Sequence, residues 1–143
     1  MWGTRVWCLD GNGTGYNVDT DRTSAYLHRC GHGVGQPDYQ LWGFTHGTTN
    51  LQLVHNKTNQ CLRAQYLMDN AVFLGDCDGL NARWDAVGLN GWVMFVNSAY
   101  NLCLRPYGTE VPGRSFYWLG VTSCDRHDLS NVPNIIAWRY FTN

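Results

Sequence analysis

Short apolar segments alternate with clusters of Gly, Asn and Asp along the chain, and the periodicity of an amphipathic helix is nearly absent. Segments rich in β-branched and aromatic residues, separated by turn residues, are typical of β-strands. The longest apolar runs, such as residues 92–96, are of strand length and far below the roughly 20 residues that a membrane-spanning helix needs. The pattern therefore predicts an all-β chain without membrane insertion.

The strands fall into three groups. The middle of the chain predicts strands at 51–54, 61–64, 72–77 and 83–87, and the last third predicts them at 92–96, 102–105, 116–123 and 135–141. The first third predicts strands at 5–9, 25–30 and 40–44, and leaves only residues 1–4 for the opening strand. We expect that strand to be short or cut away.

A sequence repeat divides the chain in the same way. The pair Cys-Leu is followed 16 to 22 residues later by a second Cys, and 7 to 14 residues after that by a Trp. The three copies are Cys8-Leu9, Cys30 and Trp42; Cys61-Leu62, Cys77 and Trp84; and Cys103-Leu104, Cys124 and Trp138. Units of about 48 residues are too small to bury a core alone, so the copies must share one.

Three units of four strands predict a β-trefoil, which is a six-stranded barrel capped by three hairpins. We place a single domain at residues 1–143, with repeats at about 1–47, 48–89 and 90–143. A β-sandwich or an OB barrel would not explain a threefold cysteine repeat. The three repeated tryptophans are then expected in the core.

The six cysteines allow 15 pairings, and the repeat favours the one that keeps every bond within its unit. The predicted disulfides are Cys8–Cys30, Cys61–Cys77 and Cys103–Cys124. Disulfides persist in oxidising compartments, so we expect a secreted protein and interpret Met1 as an artificial start on a mature segment. The net charge of −1, with 15% charged residues, provides no basic surface for nucleic acid.

Three stretches of the first repeat carry a family resemblance: residues 8–12 (Cys-Leu-Asp-Gly-Asn), 25–30 (Ala-Tyr-Leu-His-Arg-Cys) and 39–42 (Tyr-Gln-Leu-Trp). They resemble the ricin B-type lectins, and in particular the Q-x-W repeat modules of secreted bacterial proteins. The resemblance spans the whole chain. It implies a β-trefoil that binds galactose-like sugars in shallow surface pockets, at most one for each repeat.

The resemblance also implies roles for single residues. Asp10 would accept hydrogen bonds from sugar hydroxyls, His28 would stack on the apolar face of the sugar ring, and Gln40 would brace Asp10. Tyr39 takes the position where the family usually has Asn, and Asp38 could reach the same rim. For Asp10 the residues alone leave open a purely structural role in the turn expected at Gly11–Gly15.

The other two repeats depart from the family pattern. In the second, Arg63 replaces the aspartate and Gly75 the stacking aromatic, although Asn81 stands at the family's Asn position. The third repeat has Arg105 and Thr122 at the two equivalent positions, and isoleucines (135 and 136) replace its polar pair. Neither pocket is expected to bind a galactose-type sugar, and both arginines are interpreted as solvated or paired surface charges.

Other chemistry finds little support in the sequence. The run that begins at Asp10 imitates a calcium loop, but strands flank it and the acidic residue at its end is Asp21 rather than Glu. His28 and His32 flank a cysteine already assigned to a disulfide, which disfavours zinc. No nucleophile motif and no free cysteine are evident. We therefore expect no metal, no cofactor and no enzymatic activity.

The sequence thus predicts a secreted, non-enzymatic lectin module with one galactose-type site, at Asp10, His28, Asp38, Tyr39 and Gln40. It would bind glycans alone or as the targeting part of a protein with a partner subunit or fused catalytic domain. The alternative is a protein-interaction β-trefoil, such as a toxin subunit or protease inhibitor, whose sugar pockets have decayed.

Peptide mapping of the unreduced protein is expected to find every disulfide within its own repeat, because the cysteine spacing recurs with the repeat. Thiol titration of the unfolded, unreduced protein should detect essentially no free cysteine. A bond between cysteines of different repeats would contradict the proposed pairing.

Overall fold

A computed structural model describes residues 7–17, 22–29, 42–45, 48–56, 58–65, 71–89, 92–107, 116–130, 132–133 and 136–139. These residues form β-strands and one short 3-10 turn, Leu80–Ala82. The strands are β1 (Trp7–Asn17), β2 (Arg22–Arg29), β3 (Trp42–Thr45), β4 (Gln52–His55), β5 (Cys61–Gln65), β6 (Ala71–Gly75), β7 (Trp84–Leu89), β8 (Trp92–Asn97), β9 (Cys103–Tyr107), β10 (Phe116–Thr122) and β11 (Trp138–Arg139). Within these ranges no helix is long and apolar enough to cross a bilayer.

Three antiparallel hairpins, β1–β2, β5–β6 and β9–β10, contain the Cys-Leu segments of the three repeats. The second strand of each hairpin pairs with the second strands of the other two, so that β2, β6 and β10 meet around one axis. The remaining strands pair as β3–β4, β7–β8 and β8–β11. Three hairpins that meet at a common centre above paired barrel strands form a β-trefoil, as the repeat predicts.

The core collects apolar residues from all three repeats, as expected for units that cannot bury a core alone. Alternate strand positions face inward, and the central residues are almost completely inaccessible to solvent. They include Leu27, Leu62, Leu74, Leu104, Trp84 and Trp138. The prediction that the repeated tryptophans belong to the core is confirmed for Trp84 and Trp138, and Trp42 packs partly buried against the same cluster.

Each repeated tryptophan makes the same hydrogen bond. The indole Nε1–H donates to the backbone carbonyl of the leucine that follows the first cysteine of its own repeat. The donor–acceptor distances are 3.0 Å for Trp42 to Leu9, 2.9 Å for Trp84 to Leu62, and 3.0 Å for Trp138 to Leu104. A buried indole N–H needs a partner, and here it joins the last strand of a repeat to the hairpin of the same repeat.

Two of the predicted disulfides, Cys61–Cys77 and Cys103–Cys124, are present, and each lies within one repeat. Cys8 is also disulfide-bonded. Its predicted partner, Cys30, lies outside the described residues.

Most described strands begin and end within about three residues of the predicted bounds, and the largest difference is in β1. The strand expected at 5–9 continues to Asn17, and the glycine-rich run is an irregularity in it, with a shift in register between Gly11 and Tyr16. The turn predicted at Gly11–Gly15 thus falls at this irregularity within β1, and glycines tolerate such backbone. The described part of the strand predicted at 135–141 is β11, Trp138–Arg139. The expected opening strand at 1–4 lies outside the described residues.

Replacing Trp84 by Phe is expected to lower the free energy of unfolding by about 2–4 kcal/mol, because it leaves the Leu62 carbonyl without its donor and opens a void in the core. Urea denaturation of the oxidised protein measures this. Trp92→Phe is the matched control, since Trp92 is only half-buried, and should cost less than about 1 kcal/mol. Equal losses in both variants would contradict a special role for the repeated tryptophans.

Candidate functional site

Two of the predicted sugar-binding residues lie on the first hairpin. Asp10 on β1 pairs with Tyr26 of β2, and His28 pairs with Cys8. Along β2, positions 26 and 28 alternate with Ala25 and Leu27, which are buried in the core.

Asp38, Tyr39 and Gln40 lie outside the described residues. The structure shows Asp10 and His28 in the two paired strands of one hairpin, and the assignment of all five residues to a sugar site remains a prediction.

The register shows that the stacking position is equivalent in all three repeats. In each hairpin the residue two places before the second cysteine pairs directly with the first cysteine. The three pairs are Cys8 with His28, Cys61 with Gly75, and Cys103 with Thr122. The same surface location can thus be compared from repeat to repeat.

In the second repeat this location is filled by Arg63. Its Nη1 donates to the backbone carbonyls of Asp76 and Asp78, the latter at 2.7 Å, and its Nη2 donates to Asn81 Oδ1 at 2.7 Å. Asn81 Nδ2 in turn donates to the carbonyl of Ala64 at 3.4 Å. The guanidinium thus binds groups from both sides of Cys77, and Asn81 is engaged by protein rather than available to a ligand.

Gly75 is what allows Arg63 to lie there. A Cβ built on Gly75 would come within 3.0 Å of Arg63 Cδ, which is tighter than almost all real Cβ contacts. A side chain at position 75 would therefore require the Arg63 side chain to shift. Gly75 and Arg63 are in close contact, and Arg63 occupies the pocket.

In the third repeat the equivalent location is an open cleft of about 290 Å³. Its polar lining comes from the hairpin and from the segment that follows it. These residues are Arg105, Thr122, Ser123, Asp125 and Asp128. Arg105 occupies the same register position as Arg63, so one residue type accompanies a closed pocket in one repeat and an open cleft in the next.

The segment after the second cysteine differs in length between the two repeats. Trp84 comes seven residues after Cys77, whereas Trp138 comes 14 residues after Cys124. Part of the longer segment forms one wall of the cleft, where Val132 and Pro133 face Met94 and Ile136.

The longer segment is attached to the rest of the domain at two points. Arg126 Nη2 forms a partly buried ion pair with Asp85 Oδ2 at 2.8 Å. Leu129 and Val132 pack against a small apolar cluster centred on Met94. The wall is therefore held by side-chain contacts as well as by the backbone.

The sequence pattern did not single out Asp125 and Asp128, because they lie outside the positions to which the resemblance assigns sugar-binding roles. The available signal was the longer spacing between the second cysteine and the tryptophan of the third repeat. Among the residues that the structure describes, no group of three or more His, Cys, Asp or Glu side chains is placed to hold a metal ion.

No protein-family model matches the chain, and no curated protein matches it in sequence. Solved structures do resemble it. The designed 3-fold symmetric protein ThreeFoil aligns with 95% of this chain and 97% of its own, with a TM-score of 0.65 and 16% identity. The similarity at this level of identity supports the β-trefoil fold.

Two natural proteins are similar as well. Part of the cytolethal distending toxin from Actinobacillus actinomycetemcomitans aligns over 85% of this chain and 81% of its own, with a TM-score of 0.61 and 14% identity. A salivary protein from Culex quiquefasciatus, of the Cysteine and Tryptophan-Rich (CWRC) family, aligns over 92% of this chain and 82% of its own, with a TM-score of 0.60 and 22% identity. The chain is thus a disulfide-bonded β-trefoil with structural similarity to a toxin component and to a salivary protein.

Proposed function

We propose that this protein is a secreted, non-enzymatic carbohydrate-binding module with one galactose-type site, in the first repeat. The observation that supports the proposal is the register of β1 and β2, in which Asp10 pairs with Tyr26 and His28 pairs with Cys8 on the neighbouring strand. An acidic residue and a flat ring match the two kinds of surface that a sugar offers.

A sugar presents hydroxyl groups at its rim and C–H groups on one face. In the proposed site the carboxylate of Asp10 accepts hydrogen bonds from two hydroxyls, and the imidazole of His28 covers the C–H face. Gln40 holds Asp10 in position, and Asp38 and Tyr39 bind a hydroxyl at the rim. The imidazole ring is smaller than an indole, so the site is expected to be weak.

The second repeat supports a single galactose-type site. Arg63 already donates hydrogen bonds to the acceptors that surround its pocket. A ligand that entered the pocket would have to break these charge-assisted hydrogen bonds and would leave the guanidinium without partners. A weak sugar site cannot compensate for that loss. Secretion is supported by the two described disulfides, which persist in oxidising compartments.

The closed pocket also gives the alternative its strongest support. A β-trefoil whose sugar pockets are lost can act through protein contacts, as a toxin subunit or as an inhibitor. Structural similarity to a cytolethal distending toxin is compatible with either function. A glycan array probed with the isolated protein separates them, since the protein-interaction alternative expects no glycan to bind.

Asp10→Ala is expected to remove measurable binding to a galactose-type ligand, because the carboxylate supplies the main hydrogen-bond acceptors of the site. The unmodified protein should bind such a ligand with a Kd of about 0.1–1 mM, as a shallow pocket buries few ligand atoms. Isothermal titration of lactose into both proteins measures the difference.

Asp78→Ala is the matched control for this change. Asp78 is exposed, and only its backbone carbonyl contacts Arg63, so the variant should bind lactose like the unmodified protein. Lactose binding that survives Asp10→Ala would show that the first-repeat site is wrong.

The monomeric domain is expected not to agglutinate galactose-coated beads, because cross-linking two surfaces requires two sites for the same sugar. Light scattering of the bead suspension measures this, with a chemically cross-linked dimer of the domain as the positive control. Agglutination by a demonstrated monomer would refute a single galactose-type site.

A further inference from the structure

We propose that Asn56 is an N-glycosylation site, and that its oligosaccharide is attached before the second repeat folds. Residues 56–58 read Asn-Lys-Thr, which is the acceptor pattern for this modification. The proposal rests on the secretion proposed above, because the modifying enzyme acts in the secretory pathway. It does not depend on the galactose-type site.

Asn56 lies in the turn between β4 and β5 and is exposed to solvent. The chain on both sides of this turn belongs to the fold, since Val54 pairs with Cys61 and Cys61 is bonded to Cys77. Surface turns carry large polar modifications without loss of core packing. An oligosaccharide on Asn56 can therefore extend into solvent while the buried residues of both strands stay in place.

The turn is closed by two backbone hydrogen bonds. The N–H of His55 donates to the carbonyl of Gln60, and the N–H of Asn59 donates to the carbonyl of His55, both at 2.8 Å. The backbone of Asn59 has a φ of 59°, a left-handed conformation that asparagine adopts more readily than most residues. These groups account for the shape of the turn, and the side chain of Asn56 is not among them.

The third repeat forms the same turn without an acceptor pattern. The N–H of Asn97 donates to the carbonyl of Leu102, and the N–H of Asn101 donates to the carbonyl of Asn97, again at 2.8 Å. Asn101 has a φ of 55°, and Ser98 stands where the second repeat has Asn56. Since serine serves in the same turn, the fold does not require an asparagine at position 56.

Thr58 provides the second part of the acceptor pattern. The modifying enzyme recognises a hydroxyl group two residues after the asparagine, which is why the pattern requires Ser or Thr there. In the structure Thr58 Oγ1 lies 2.9 Å from Nδ1 of the buried His55, and it accepts a hydrogen bond from the N–H of Gln60 at 3.4 Å. The hydroxyl is thus engaged by protein once the turn has formed, so the transfer has to precede folding of this turn.

The transfer is a substitution at the first sugar of an oligosaccharide that the cell provides on a lipid pyrophosphate. The side-chain amide nitrogen of Asn56 loses one proton and forms a bond to the anomeric carbon C1. The bond between C1 and the pyrophosphate oxygen breaks, and the lipid pyrophosphate leaves with the electron pair. The step needs no oxidant or reductant.

Synthesis of the chain leaves time for this step. The Cys61–Cys77 disulfide cannot form before Cys77 has been made, 21 residues after Asn56. At about 5–20 residues per second this takes roughly 1–4 s. Two short strands joined by a turn are only marginally stable by themselves, so the acceptor remains accessible during this period.

The test is the intact mass of the full chain, isolated both from its natural source and from cultured eukaryotic cells that secrete it. The mass is measured before and after treatment with peptide-N-glycosidase, and peptide mapping identifies the modified asparagine. We expect an oligosaccharide on Asn56 in both preparations. An unmodified Asn56 in the natural protein would overturn the proposal.

Substitutions in the acceptor pattern test the role of each group. Asn56→Gln and Thr58→Val should abolish modification at this position, whereas Thr58→Ser, which keeps the hydroxyl, should retain it. Asn12→Gln removes the other acceptor pattern of the chain and is the matched control. Because the transfer precedes folding, whole-cell extracts report on variants that fail to fold. Modification of Asn56 in the Thr58→Val variant would contradict the assignment.

A second assay tests the order of events. Unmodified full chain from bacterial expression is incubated with microsomal transferase and its lipid-linked donor, either folded and oxidised or reduced and alkylated. We expect transfer to the reduced chain to be at least about tenfold faster, because the folded turn has to open before Thr58 is accessible. Equal rates would refute attachment before folding.

Asn56→Gln also separates this proposal from the proposed function, because the variant should bind lactose like the unmodified protein. Loss of lactose binding in Asp10→Ala therefore does not bear on Asn56. A secreted natural protein without an oligosaccharide on Asn56 refutes the modification alone. A natural protein confined to the cytosol refutes secretion and this proposal with it.

Discussion

The hydrogen bond from a tryptophan indole to the leucine carbonyl next to a cysteine is the interaction on which the rest of the structure depends. It occurs once in each repeat, with a donor–acceptor distance of 2.9 or 3.0 Å. It joins the strand that ends a repeat to the hairpin that the same repeat contributes to the shared core. In the second and third repeats a disulfide also links the first strand of that hairpin to the segment just after its second strand.

Because these contacts lie beneath the surface, the pockets above them are free to change. Arg63 and Arg105 illustrate this variation between repeats. They are the same residue type at the same register position, yet the pocket is filled in the second repeat and is an open cleft in the third. What decides the outcome is local, namely Gly75 beside Arg63 and the longer segment beside Arg105. The fold tolerates either because neither change affects the tryptophan or the disulfide of its repeat.

The spacing of cysteines and tryptophans predicted the fold, the pairing of two disulfides and the buried position of Trp84 and Trp138, since all of these follow from the repeat. Strand ends were less predictable, because the glycine-rich run after Asp10 suits a turn and a strand irregularity equally well. Sequence comparison also placed His28, Gly75 and Thr122 at equivalent positions, which the register confirms. It could not reveal that Arg63 binds the carbonyls around its pocket, or that Asp125 and Asp128 line a cleft, since these depend on the path of loops.

The segment between Cys124 and Trp138 has one further consequence. Its two ends are fixed by a disulfide and by a buried indole, while its length is twice that of the corresponding segment in the second repeat. Lengthening a loop that is anchored in this way changes the free energy of folding little, because the entropy lost on loop closure grows only slowly with loop length. The two anchors keep their geometry when the loop between them is longer. The domain is therefore a natural scaffold for peptide display, with this segment as the position for randomised inserts.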